Sequence, residues 1–108
     1  MSGSSGSGGG GDFTPDRQDC SQLVLETQLS SPKPTVVAGL EVDQVLAVDV
    51  RNMNGANVVV VLAGREVAGG LASPAVQRLR ECIEQGYRFK AIVLLINQGQ
   101  VRVRVQAA

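Results

Sequence analysis

Asn54-Gly55 stands between two runs rich in β-branched residues, LAVDVRNM and ANVVVVLA, and constrains the fold more than any other feature of the chain. A two-residue type I′ turn needs positive φ at both central positions, and Asn-Gly supplies them at little cost. Counting outward from that turn pairs Val50 with Val59 and Val48 with Val61 on one face. Asp49 and Arg51 then point the other way, opposite Val60 and Val58. A period of two with one apolar face predicts a half-buried antiparallel hairpin.

A second reversal comes at Gly64-Arg65, where glycine in the first central position suits a type II′ turn. The same counting sets Ala68 opposite Val61, Gly69 opposite Val60 and Gly70 opposite Val59. The third strand thus presents small residues where the second is bulky, which suits the close approach of a helix. Ser73 and Pro74 fit an N-cap and first helical residue, and Gly86 fits a left-handed stop, so a helix is expected from Ala75 to Gln85. Val76, Leu79, Cys82 and Ile83 would form its apolar face. A last hairpin is expected to turn at Gln98-Gly99, pairing Ile96 with Val101, Leu94 with Val103 and Ile92 with Val105. Its other face sets Leu95 against Arg102 and Val93 against Arg104.

Upstream, CSQLVLETQL alternates Leu23, Leu25, Thr27 and Leu29 with Val24, Glu26 and Gln28, a first strand. Pro32 and Pro34 then break SSPKPTVVAGL into a loop with one helical turn from Thr35 to Gly39. The order is strand, loop, three-strand meander, helix, hairpin. The fold class is mostly β with one α-helix, an α+β chain expected to form a six-stranded, partly open β-barrel with the helix plugging one end. Residues 17–108 make one domain, while residues 1–16, which open with MSGSSGSGGGG, read as a disordered, flexible tail. With one Tyr, two Phe and no Trp, the core must be aliphatic.

Several function classes have little to stand on. The chain has no histidine, so Ser-His and Cys-His pairs are excluded and the usual neutral-pH base is missing. Glu41 with Asp43 or Asp49 is the one carboxylate cluster, and its setting reads as a polar turn entering a strand. No metal-ligand spacing and no cofactor motif occurs. Cys82 falls on the helix's apolar face and is expected to be a buried, inert thiol; a bridge to Cys20, at the start of the first strand, is the alternative. No apolar run reaches a membrane span, and a soluble cytoplasmic protein is the default expectation.

Binding is better served. Net charge is zero, but residues 1–66 carry four basic and eight acidic side chains, and residues 67–108 carry six and two. Within the basic half, VRVRV lines up Arg102 and Arg104 as a row that phosphates can track along, with Arg51 and Arg65 as further basic candidates and Phe89 as the stacking aromatic. By the hairpin register Arg88 and Lys90 fall on the opposite face, so the basic residues are split. Gly69 and Gly70, ahead of a helix opening at Ser73, are candidates for holding an anion on backbone N–H groups. Close backbone packing beneath the helix explains the same glycines without a ligand.

From Val58 to Ile96 the order of features is similar to the HIRAN domain: a valine-rich strand, a tight glycine turn, a strand running into Gly and Leu, a helix ending at Gly86, then a strand with Phe89 and Ala91. The resemblance implies a small barrel that binds DNA ends, although NMNGAN stands where that family carries an Asn-Pro/Asp-rich segment. The expected function is a non-enzymatic module that binds single-stranded nucleic acid or DNA ends. The alternative is a protein-interaction or oligomerisation module whose surface is Val58, Val60, Val93 and Leu95.

Overall fold

All three expected reversals form. Asn54 and Gly55 take φ of 54° and 82°, and Gln98 and Gly99 take 52° and 82°, while Gly64 takes 65° at the head of its turn. The structure is a computed structural model that describes residues 19–108; the tail expected over residues 1–16 lies outside them. A 3-10 turn at Cys20–Gln22 leads to β1 (Val24–Gln28), α1 (Pro34–Val37), β2 (Val45–Met53), β3 (Ala56–Ala63), β4 (Glu66–Leu71), α2 (Val76–Glu84), β5 (Phe89–Asn97) and β6 (Gln100–Ala107). The six strands form one antiparallel sheet in the order β1-β6-β5-β2-β3-β4.

The β2–β3 register is the expected one, with Val50 on Val59 and Val48 on Val61. The other two hairpins each depart from a regular count by one residue. Between β3 and β4 the pairing shifts after Leu62–Val67, so that Gly69 faces Val61, Gly70 faces Val60 and Leu71 faces Val59. Ala68 is the extra residue. Between β5 and β6 the pairing shifts after Leu95–Arg102, so that Val93 meets Val103, Ile92 meets Arg104 and Ala91 meets Val105. Leu94 is the extra residue there. Because strand side chains alternate with a period of two, a one-residue bulge reverses every side chain beyond it.

Both reversals bury apolar groups that the regular counts would have left outside. In β4 the shift turns Leu71 inward, and in β5 it turns Phe89, Ala91 and Val93 inward. All four are part of one buried cluster with Val59, Val61, Val101, Val103, Val105 and, from α2, Leu79 and Cys82. The core is aliphatic, as composition requires. Phe89 is its one aromatic among the described residues.

The expected barrel does not close. β1 and β4 are the edges of the sheet, and the chain leaving β1 meets β4 at an isolated bridge in which Ser30 N–H donates to Gly70 O at 2.7 Å and Gly70 N–H to Ser30 O at 2.8 Å. The next pair of a regular ladder would need an N–H from residue 32, which is proline; Lys33 N–H donates to Ala68 O at 2.8 Å instead, and no ladder forms. The crossing explains Gly69 in a way the residue order did not suggest. A Cβ on Gly69 would lie 3.0 Å from Leu29 Cβ and 3.2 Å from Ser30 O. It is the Leu29–Ser30 crossing, and not α2, that needs a bare backbone at Gly69.

The α2 helix starts later than expected, with Ala75 as its N-cap and no side-chain cap. Ser73 instead closes the turn before it, its Oγ accepting from Ala75 N–H at 3.3 Å and its carbonyl from Val76 N–H at 2.9 Å. A second correction concerns the cysteines. Cys20 and Cys82 are joined in a disulfide with their Cα atoms 5.6 Å apart, so Cys82 is not a free thiol. The 3-10 turn that carries Cys20 is capped by Asp19, whose carboxylate accepts from Ser21 N–H at 2.9 Å and Ser21 Oγ at 3.0 Å. Those bonds, the backbone one foremost, hold the Asp19 pKa below its ordinary 3.8. Their stabilising effect is present above that ordinary value and is lost as pH falls through the lowered one.

Replacing Gly69 with Ala should cost about 1–3 kcal/mol, the usual range for overpacking, read as a lower urea midpoint at unchanged slope. An unshifted midpoint would mean that Leu29 and Ser30 do not cross β4 this closely.

Candidate interaction face

Cross-strand pairing orders the side chains on the face of the sheet turned away from the core. One row runs Val24, Gln106, Lys90, Ala47, Leu62. The next runs Glu26, Arg104, Ile92, Val45, and a third runs Gln28, Arg102, Leu95. The bulge at Leu94 is what places Lys90 and Ile92 in these rows. A regular count from the turn sets Lys90 apart from Arg102 and Arg104; the structure gives the three cations one face.

The cations differ in their company. Arg104 Nε lies 3.2 Å from Glu26 Oε2, both side chains being roughly half exposed. A pair so open to solvent contributes less than about 1 kcal/mol, so Arg104 is not committed to holding the fold. Arg51 Nε lies 3.6 Å from Asp49 Oδ2 on the part of the β2–β3 hairpin that runs past β5, away from Arg102. Arg65 stands at the β3–β4 turn, exposed and apart from the rest. Phe89 is 4% exposed and lies in the core, so it cannot stack on a base.

Apolar groups occupy the same rows. Val45 is 60% exposed, and Val24 and Leu95 are each 55% exposed, with Ile92 half-buried among them. Of the four residues expected to form an apolar partner surface, Leu95 alone is prominently exposed. Val93 is fully buried because the bulge turns it inward, Val60 is 1% exposed, and Val58 is half-buried. Val24, Val45 and Ile92 were missed. For Ile92 the signal was present as a conflict: the Gln98-Gly99 turn demands that Ile96 point inward, burying Phe89 demands the other phase, and a bulge between them satisfies both.

Beside this face, β2 and β5 part company after Ala47–Lys90. The fork opens a cleft of about 790 Å³, whose walls include Leu46, Val48, Leu62, Ile83, Tyr87 and Lys90. The anion candidates behave differently. Gly70 N–H is engaged by Ser30 O, and the N–H groups of Ala75 and Val76 by Ser73. These donors are satisfied within the chain.

Glu41 and Asp43 lie in the turn before β2, which Gln44 closes by accepting from Glu41 N–H at 2.9 Å through its side chain. Among the described residues no group of three His, Cys, Asp or Glu is placed to hold a metal ion. No helix among them is long and apolar enough to cross a membrane. The chain matches no protein-family model, no curated protein and no solved structure.

Phe89→Ala should destabilise the domain by about 3–5 kcal/mol, the cost of emptying a core aromatic site, as measured by chemical denaturation. A loss near zero would return Phe89 to the surface and undo the β5 register.

Proposed function

We propose that this domain is a non-enzymatic protein-interaction module that binds a partner through the outer face of its sheet. The observation that carries this reading is the run of exposed aliphatic side chains, Val24, Val45 and Leu95, interleaved with Lys90, Arg102 and Arg104. Apolar area gives such a face its affinity, and the cations among it select the partner. Carboxylates next to aliphatic residues are the complementary chemistry.

Nucleic acid is the second reading, favoured by Lys90 joining Arg102 and Arg104 on one face and by the HIRAN-like order of features. Two facts weigh against it. Single strands are held by stacking on aromatic rings along a basic groove, and the three rows of this face carry no aromatic, the one exposed ring among the described residues, Tyr87, standing in the cleft beside it. The whole chain has a formal net charge of zero and a pI near 6.2, without the basic excess that nucleic-acid binders show.

Selection of displayed peptides on the immobilised domain should enrich sequences that combine Asp or Glu with aliphatic residues. Leu95→Glu should then weaken a selected peptide by about tenfold or more, the loss of one buried aliphatic contact of about 1.5–3 kcal/mol. Lys90→Ala with Arg102→Ala should weaken it less and flatten its salt dependence. Failure to enrich any such sequences, or tight binding of a short oligothymidylate that collapses with salt, would contradict the proposal.

A further inference from the structure

The disulfide joins two short elements. The 3-10 turn at Cys20–Gln22 is three residues long, fixed locally by the Asp19–Ser21 hydrogen bonds. The α2 helix is nine residues long and lacks a side-chain cap at its N-terminus. Helices of that length are marginal in water and depend on what they pack against. α2 packs through Leu79 and Cys82, both fully buried, with Val76 and Ile83 partly buried beside them. Cys20 comes from the far end of the chain, 62 residues away.

The chain has two cysteines in all, so the bond has one possible intramolecular pairing. Both are shut away from solvent, at 4% and 0% exposure. Thiol–disulfide exchange requires a thiolate to reach one of the two sulfurs. In the folded domain that approach is blocked, so the pair is not built to cycle between oxidised and reduced forms. A buried crosslink of this kind is characteristic of proteins that mature where thiols are oxidised, and it is rare where glutathione and thioredoxin keep them reduced.

We infer that this domain acquires its native form in an oxidising compartment, with Cys20–Cys82 as a structural crosslink, and not in the reducing cytosol that the sequence suggested by default. Formation of the bond is a two-electron oxidation. The two thiols lose two protons and two electrons to the disulfide of a thiol oxidoreductase, which leaves as a dithiol. The exchange takes place before α2 packs onto the sheet and buries Cys82, because afterwards the sulfurs are out of reach. Closing a loop of this length restricts the unfolded chain and so favours the folded one.

The decisive experiment is to alkylate living cells that make the chain at its natural level, and then to read the thiol state by the mass added with a maleimide-polyethylene glycol reagent. The inference expects no added mass until the protein is denatured and reduced. A chain recovered with two free thiols would overturn it. In parallel, the purified protein with Cys20→Ala and Cys82→Ala should show an unfolding equilibrium constant raised by at least about thirtyfold. Cys82→Ser with Cys20→Ser, which puts hydroxyls in the core, should be worse than the alanine pair. If the alanine pair unfolds at the same urea concentration as the oxidised parent, the crosslink does not support the fold and the inference fails. Leu95→Glu, which disrupts the proposed binding face, should leave the thiol state unchanged, so the two proposals can fail separately.

Discussion

Two inserted residues, Ala68 and Leu94, decide which side of the sheet every neighbouring side chain occupies. A regular ladder counted back from Gln98-Gly99 would put Phe89, Ala91 and Val93 outside and Lys90 and Ile92 inside. That arrangement would bury an ammonium group and expose an aromatic ring, a combined penalty far larger than the lost pairing at one bulge. The same reasoning applies to β4, where a regular count from Gly64-Arg65 would expose Leu71. In each hairpin the turn fixes the phase at one end, the core fixes it at the other, and the extra residue reconciles the two.

Once the phases are set, the other parts of the architecture fall into place. Leu71 and Ala68 face inward together with Val59 and Val61, leaving a bare backbone at Gly69 against which Leu29 packs. That contact brings the chain leaving β1 to the edge of β4, and the Ser30–Gly70 bridge fastens it there. Pro32 has no N–H to offer at the next ladder position, and the single Lys33–Ala68 bond beyond it does not make a ladder, so the sheet stays open. On its inner side, α2 and the turn at Cys20 are pinned to each other through the disulfide. On its outer side, the shifted β5 gathers Lys90, Arg102 and Arg104 with Val24, Val45 and Leu95, and the proposed binding function rests on that face.

Much of this was legible in the residue order. Asn54-Gly55 set the β2–β3 register residue for residue, and Val76, Leu79, Cys82 and Ile83 marked the buried face of α2. What escaped was non-local or hidden by composition. FKAIVLLIN is apolar almost throughout, so its alternation does not reveal its phase, and neither bulge is marked by a proline or by a glycine with positive φ. The Cys20–Cys82 bond depends on which elements meet in space, which the spacing of two cysteines does not reveal. The candidate face suffered most, because four of the placements it depended on were set by the β5 register. Phe89 and Val93 went inward with the shift, and Lys90 and Ile92 came outward.

The bulge at Leu94 can be read directly from nuclear Overhauser contacts between α-protons in the isotopically labelled protein. In an antiparallel ladder, such contacts mark the close, non-hydrogen-bonded pairs. The structure predicts them between Val93 and Val103 and between Ala91 and Val105. Contacts between Leu94 and Val103 and between Ile92 and Val105 in their place would mean an unbroken hairpin, and would contradict both the buried core and the outer face.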